Sequence, residues 1–130
     1  MKYLLDTNVL IAMFRGRQTI REAILKAGFS ECGVSEISVA ELLVGAYKNG
    51  YEKHVHEVRF VKNQFSVIPI SDSVEKYARI RAQLEANGVR LDNFDLLIAA
   101  TAINEGFTLV THNKKHFDRI PGLKLKDWER

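Results

Sequence analysis

The sequence predicts an α/β fold, a short parallel sheet with helices on both faces. Three observations carry this. Short apolar runs of strand length alternate along the 130 residues with longer stretches of helical periodicity. Hydrophobic residues make up 46% of the chain, enough to bury a core and too many for a disordered one. The apolar content is mostly Leu, Ile, Val and Ala, with only 9% aromatics, which suits helices packed on a sheet.

The elements follow in order. Residues 2–5 (Lys-Tyr-Leu-Leu) read as a buried strand. Asp6-Thr7-Asn8 opens a helix through Val9, Leu10, Ile11, Met13 and Phe14, which Gly16 ends. A second helix covers roughly 17–27, with Ile20, Ala23, Ile24 and Ala27 on one face and Gly28 closing it. Residues 31–35 form a second strand, with Cys32 in it. Ser38 is expected to cap a helix over 39–48, ended by Asn49-Gly50. Val55, Val58 and Val61 mark a helix over 51–64. Phe65–Ile68 is a strand stopped by Pro69. Asp72 or Ser73 opens a helix to about Ala86, ended by Asn87-Gly88. Asp92 opens another over 93–105, apolar nearly all round and therefore buried. Phe107–Val110 is a strand, 113–117 a helical turn, and Leu123–Leu125 a last edge strand. No repeat or linker interrupts this pattern, and the length fits one domain over 1–130. In parallel sheets of this kind ligands bind beyond the carboxyl ends of the strands.

The totals exclude several classes. The lone cysteine, Cys32, allows neither an internal disulfide nor a cysteine-based zinc site, and it points to a reducing compartment. Tyr3–Leu5 is cut short by Asp6, so no signal peptide is visible, and no apolar run approaches the roughly 20 residues needed to cross a bilayer. The expected location is cytoplasmic, with no membrane partner. The net charge, 19 Lys and Arg against 16 Asp and Glu, is +3 and proves nothing alone. Its placement says more. Lys114, Lys115, Arg119, Lys124, Lys126 and Arg130 crowd the last stretch, and Lys48, Lys53, Arg59 and Lys62 form a second one. Such runs attract phosphate, although each also reads as a solvated helix face.

Three carboxylates lie in apolar company: Asp6 after Tyr3-Leu4-Leu5, Glu41 in Val39-Ala40-Glu41-Leu42-Leu43, and Asp95 in Phe94-Asp95-Leu96-Leu97. Such a group needs hydrogen bonds, a counter-charge or a metal. Each has a structural reading. Ser38-x-x-Glu41 matches a capping box, Asp95 follows Asp92 in a first turn, and Asp6 can cap the helix after it. Yet all three fall at helix N-termini, and two of those helices directly follow predicted strands. Converging carboxylates repel unless a cation lies between them, and hard oxygen donors suit Mg²⁺ or Mn²⁺. Such an ion activates water against a phosphodiester without a side-chain nucleophile.

These residues resemble a known family. Leu4-Leu5-Asp6-Thr7-Asn8-Val9-Leu10-Ile11, Ser38-Val39-Ala40-Glu41-Leu42-Leu43-Val44-Gly45 and Phe94-Asp95-Leu96-Leu97-Ile98-Ala99-Ala100 resemble the three acidic motifs of PIN-domain nucleases. Thr111-His112-Asn113-Lys114-Lys115-His116-Phe117 resembles the fourth. Order, spacing and length are similar to the VapC toxins of type II toxin–antitoxin modules. The resemblance implies a three-layer α/β/α sandwich, Mg²⁺- or Mn²⁺-dependent endoribonuclease activity, a homodimer and an antitoxin that blocks the site. Carried over, the catalytic set is Asp6, Glu41, Asp95 and Asn113. Asp6, Asp95 and Glu41 are the metal ligands, with Glu41 binding metal or orienting water. Thr111 and Asn8 support them. Arg15, Arg17, His112 and Lys114 are candidate RNA contacts. Many relatives have an acid where this chain has Asn113, whose amide adds no charge. This favours one tightly bound ion. A VapC subgroup with Asn there, a following Phe like Phe117 and a closing pair like Asp127-Trp128 resembles nucleases of the initiator-tRNA anticodon loop.

A haloacid-dehalogenase phosphatase needs an acid where Asn8 stands. A receiver domain needs an Asp after the third strand, where Ile68-Pro69-Ile70 has none. The alternative with some support, from Asn113, is a non-catalytic RNA-binding or interaction module with a degenerate PIN fold. His54-x-His56, among charged neighbours, reads as an exposed face rather than a metal pair, and Trp128 as packing.

Overall fold

A computed structural model describes residues 2–129. Five parallel strands form one sheet: β1 (Tyr3–Leu5), β2 (Cys32–Ser35), β3 (Ser66–Ile68), β4 (Thr108–Val110) and β5 (Leu125–Lys126), in the order β3-β2-β1-β4-β5. The expected edge strand exists, displaced from Leu123–Leu125 to Leu125–Lys126. The chain steps outward from β1 to β2 to β3, then returns to lay β4 on the other side of β1. The order therefore reverses between β1 and β4, and the crevice beyond their carboxyl ends is the fold's natural binding place.

The helices are α1 (Thr7–Phe14), α2 (Gln18–Ala27), α3 (Glu36–Asn49), α4 (Tyr51–Gln64), α5 (Val74–Ala86), α6 (Asn93–Glu105) and the single turn α7 (Lys114–Phe117). Short 3₁₀ turns at Phe29–Glu31 and Ser71–Ser73 precede β2 and α5. Period-two alternation along the strands sends neighbouring residues to opposite faces. Leu5, Val34 and Val110 face a core with Val9, Leu10, Ile20, Ile24 and Val61 from α1, α2 and α4. Leu4 and Leu109 face a second core with Ile80, Leu84, Leu96, Ile98 and Phe117 from α5, α6 and α7. Each fully buried Leu or Val in these layers contributes about 2 kcal/mol. This is the expected three-layer α/β/α sandwich. Trp128 packs edge-on against Tyr3 at 5.0 Å, tying the last residues to β1.

One boundary differs in a way that matters. The expected helix over 39–48 begins three residues earlier, at Glu36, because Ser35 rather than Ser38 is the cap. The Ser35 side chain accepts from the Ile37 N–H at 3.0 Å. Ser38 and Glu41 therefore lie inside the helix and do not form a capping box. Among the described residues, no helix is long and apolar enough to cross a membrane.

Candidate functional site

Sheet register builds the site. Leu5 pairs with Val34 on one side and Val110 on the other, so the residues after them, Asp6, Ser35 and Thr111, emerge side by side at the carboxyl edge. The Asp6 N–H continues the ladder to the Val110 carbonyl at 2.9 Å. Asp6 is only 5% exposed, and Ser38 and Thr111 are fully buried.

A chain of short hydrogen bonds joins these groups. The Thr111 hydroxyl donates to Asp6 Oδ2 at 2.9 Å, and Thr111 Oγ1 accepts from the Asn113 N–H at 3.0 Å. Asp6 Oδ1 accepts from the Thr7 N–H at 2.8 Å. The Thr7 hydroxyl oxygen lies 2.7 Å from Glu41 Oε1 and 2.8 Å from Ser38 Oγ. A carboxylate only accepts, so the Thr7 proton goes to Glu41 and Ser38 donates to Thr7. Asp6 thus takes the N–H of the very next residue, not the N–H two or three positions on that a cap usually satisfies. Asp92 is the ordinary cap by comparison, accepting from the N–H groups of Phe94 at 3.0 Å and Asp95 at 3.4 Å. That leaves the Asp95 side chain to another partner: His116 Nε2 lies 2.9 Å from Asp95 Oδ2.

The electrostatics are those of crowded acids. Burial pushes the Asp6 carboxyl from 3.8 up to about 6; the bonds from Thr111 and the Thr7 N–H oppose this, and the charges of Asp95 and Glu41 add to it. Burial also raises Asp95, against the charge and hydrogen bond of His116, while Asp92 raises it further. Asp6 therefore feels the negative field of both other acids, which an intervening cation relieves.

Among the described residues, no three His, Cys, Asp or Glu side chains form a closed metal cage. Each of the three carboxylates is instead turned onto a protein donor. The nearby donors are carboxylate and hydroxyl oxygens, with the Asn113 amide on the exposed side. That set fits a hard divalent ion in chemistry and charge. The one thiol is no competitor. Cys32 is buried within β2, and burial, with Glu31 beside it, pushes its pKa up to about 11.

The remaining predicted residues spread around this centre. Asn8 Oδ1 accepts from the His112 N–H at 3.5 Å, a long contact between the first and fourth motifs. Arg15 is exposed at the end of α1 and lines a cavity shared with Glu41. Arg17 is tied to Glu129 at 3.0 Å. Lys114 is exposed at the start of α7. His54 bonds Glu57 at 3.0 Å on a helix face, so the His54-x-His56 pair is not a joint ligand set.

Sequence reasoning gave Thr7 no part and cast Ser38 only as a helix cap, and it placed His116 in the fourth motif without pairing it with Asp95. Thr7 and Ser38 were visible as hydroxyls beside acids. The pairing of His116 with Asp95 spans 21 positions and left no local mark.

The family model for the PIN domain matches residues 3–123. The chain is 33% identical to ribonuclease VapC1 of Rickettsia felis, over 96% of this chain and 95% of that protein. It is 30% identical to the tRNA(fMet)-specific endonuclease VapC of Salmonella typhimurium, over 98% of each. A crystal structure of DNA-bound VapBC from Salmonella typhimurium superposes with a TM-score of 0.92 at 30% identity, over 98% of each chain. On motif, fold and near-full-length similarity together, the chain belongs to the PIN-domain family, among its VapC members.

Proposed function

We propose that this protein is the endoribonuclease toxin of a toxin–antitoxin module, acting as one PIN domain over residues 1–130 and cutting RNA with Mg²⁺ or Mn²⁺. The observation that carries the reading is Asp6: a buried carboxyl at the switch between β1 and β4, raised to about 6 by that burial, with the charges of Asp95 and Glu41 adding to it. The relatives' names support ribonuclease activity, and their occurrence as VapBC complexes supports an antitoxin partner.

Asp6, Asp95 and Glu41 would hold the ion, with Asn113 as a neutral neighbour. Bound there, a divalent ion makes water nucleophilic at neutral pH and stabilises charge on the phosphoryl and leaving oxygens. The chain's own residues set the geometry. Thr111 fixes Oδ2 of Asp6, Thr7 fixes Glu41 one α-helical turn from Ser38, and His116 orients Asp95. Three carboxylates without a fourth acid favour a single tight ion. Arg15, Lys114 and His112 border the site and supply candidate contacts to RNA phosphates.

The substrate we infer is the anticodon loop of initiator tRNA, from the Thr111-x-Asn113 setting, Phe117, Asp127-Trp128 and the similarity to the tRNA(fMet)-specific relative. The working unit we infer is a cytoplasmic homodimer. The test is cleavage of initiator tRNA beside an elongator tRNA, with Mg²⁺ or Mn²⁺ and then with EDTA. A cut in the initiator anticodon loop that disappears with EDTA and in Asp6→Asn is expected. Cutting that persists in EDTA overturns the metal mechanism. RNA binding without any cutting returns the protein to the non-catalytic reading that Asn113 allows.

A further inference from the structure

Beside the acidic centre, between α7 and β5, lies an open cleft of about 950 Å³. Lys114, Lys115, Arg119 and Lys126 line it, all four exposed. Among the described residues, none of the four has a carboxylate within ion-pair distance. The cleft's one carboxylate is Asp127, whose Oδ1 accepts the Glu129 N–H at 2.9 Å. Four unneutralised cations in one concave surface concentrate positive potential there and draw in a polyanion.

The cleft opens directly onto the site. His116 lines it and also contacts Asp95 at 2.9 Å; Asn113 lines it and also binds Thr111, which holds Asp6. The opposite flank is different. The cavity beside Glu41, about 360 Å³, is lined by Ile11, Phe14, Leu42 and Val58, together with Arg15, Glu41 and Glu57. A phosphate chain entering there meets apolar wall and carboxylate. The dense positive track therefore runs to one side of the acids, with Arg15 on the other.

We propose that the cleft between α7 and β5 carries the sugar–phosphate backbone of the substrate RNA immediately to one side of the phosphate that is cut, held by Lys115, Arg119 and Lys126. The assignment rests on the ribonuclease reading for its substrate. The residues it adds to the candidate RNA contacts are Lys115, Arg119 and Lys126, which the sequence places in a basic run without assigning them a part at the site. Their role is electrostatic tracking of backbone, so it is independent of base sequence.

The test compares three triple variants, each placed in the Asp6→Asn background for binding and in the intact protein for cleavage. They are Lys115→Ala/Arg119→Ala/Lys126→Ala, the charge-keeping Lys115→Arg/Arg119→Lys/Lys126→Arg, and Lys26→Ala/Arg59→Ala/Lys62→Ala, which removes equal charge from helices outside the cleft. All these side chains are exposed, and thermal melts verify folding. The binding probe is a fluorescein-labelled single-stranded RNA of about 12 nucleotides, titrated across a salt series. Loss of three phosphate contacts lowers the slope of log affinity against log salt by about 2, and weakens binding by roughly 10- to 100-fold at low salt. In cleavage, KM rises by a similar factor while kcat holds. The charge-keeping and distant variants remain near the parent. Equal affinity and slope in the cleft variant overturns the proposal, and so does an equal loss in the distant variant. Tight, cleft-dependent binding by a protein that cuts no RNA refutes the nuclease reading and leaves the cleft standing. Cutting with unchanged KM in the cleft variant does the reverse.

Discussion

Replacing Asp6 with asparagine is expected to stabilise the metal-free protein even as it abolishes cleavage. The Asp6 carboxyl titrates at about 6 in the fold against 3.8 ordinarily. The folded state thus keeps a proton across a window in which the unfolded chain has already lost it. Stability falls as pH rises through that window, and the full cost, about 3 kcal/mol, is present above it. Asparagine carries no charge and pays none of this. Its carbonyl oxygen can still accept from the Thr7 N–H, and its NH₂ can donate to Thr111 Oγ1, a hydroxyl with a second lone pair beyond the one given to the Asn113 N–H. Allowing about 1 kcal/mol for the altered bond leaves a net gain of about 2 kcal/mol near pH 8. For a chain of 130 residues that is a rise in melting temperature of roughly 8 °C. The assay is urea unfolding in EDTA at pH values from about 4 to 8, followed by Trp128 fluorescence. The difference between the proteins should close toward pH 4, where Asp6 is neutral. Equal stability at pH 8, or a gap that widens as pH falls, refutes the account of Asp6 as a buried, crowded carboxylate.

Four further outcomes follow from the same contacts. Mn²⁺ should raise the melting temperature of the parent protein and leave Asp6→Asn unmoved, read by calorimetry with and without EDTA. Thr111→Val removes the hydroxyl that lowers the Asp6 pKa and strands the Asn113 N–H; it should cost about 1–3 kcal/mol in denaturant titration and move the acid limb of the cleavage profile to higher pH. His116→Ala takes away the group that holds Asp95 down, so the acid limb again moves upward, with a larger loss of kcat near pH 6 than near pH 8. Leu109→Ala, in the fully buried middle of β4, should cost about 2–5 kcal/mol with no change in the pH profile, separating loss of core from loss of site chemistry.

Most of the fold was legible because its signals are local. Strand-length apolar runs, Gly28 and Gly50 at helix ends, and Asp92 at the start of α6 each act within a few residues. The start of α3 was not legible, and the reason is a competition between two serines. Ser38-x-x-Glu41 has the form of a capping box, whereas Ser35-Glu36-Ile37 does not. What decides between them is β2, which pairs with β1 as far as Val34 and with β3 through Ser35 and leaves the chain to turn into a helix at once. Ser38, one turn inside, is then free to meet Thr7 across 31 positions. The acids of the site could be picked out by their apolar company, but the hydroxyls and the histidine that hold them depend on tertiary register, which no window of sequence contains.

Asp6 also shows why the acid and its hydroxyl partners belong together. A buried carboxylate among two others is a liability to the metal-free fold, and Thr111 and the Thr7 N–H offset only part of it. Replacing Asp6 by a neutral side chain would remove that cost, so the presence of a carboxylate in the most buried of the three acidic positions calls for a compensating role. The metal role proposed above supplies one. The burial that raises the Asp6 pKa also strengthens its attraction for a cation, because both effects arise from the same poor solvation of the ionised oxygens. The strain on the empty fold and the affinity of the site for a divalent ion are therefore one quantity viewed from two sides. A variant that relieves the first without weakening the second, such as Glu41→Gln retaining full Mn²⁺ affinity beside a lowered Asp6 pKa, would break that equivalence.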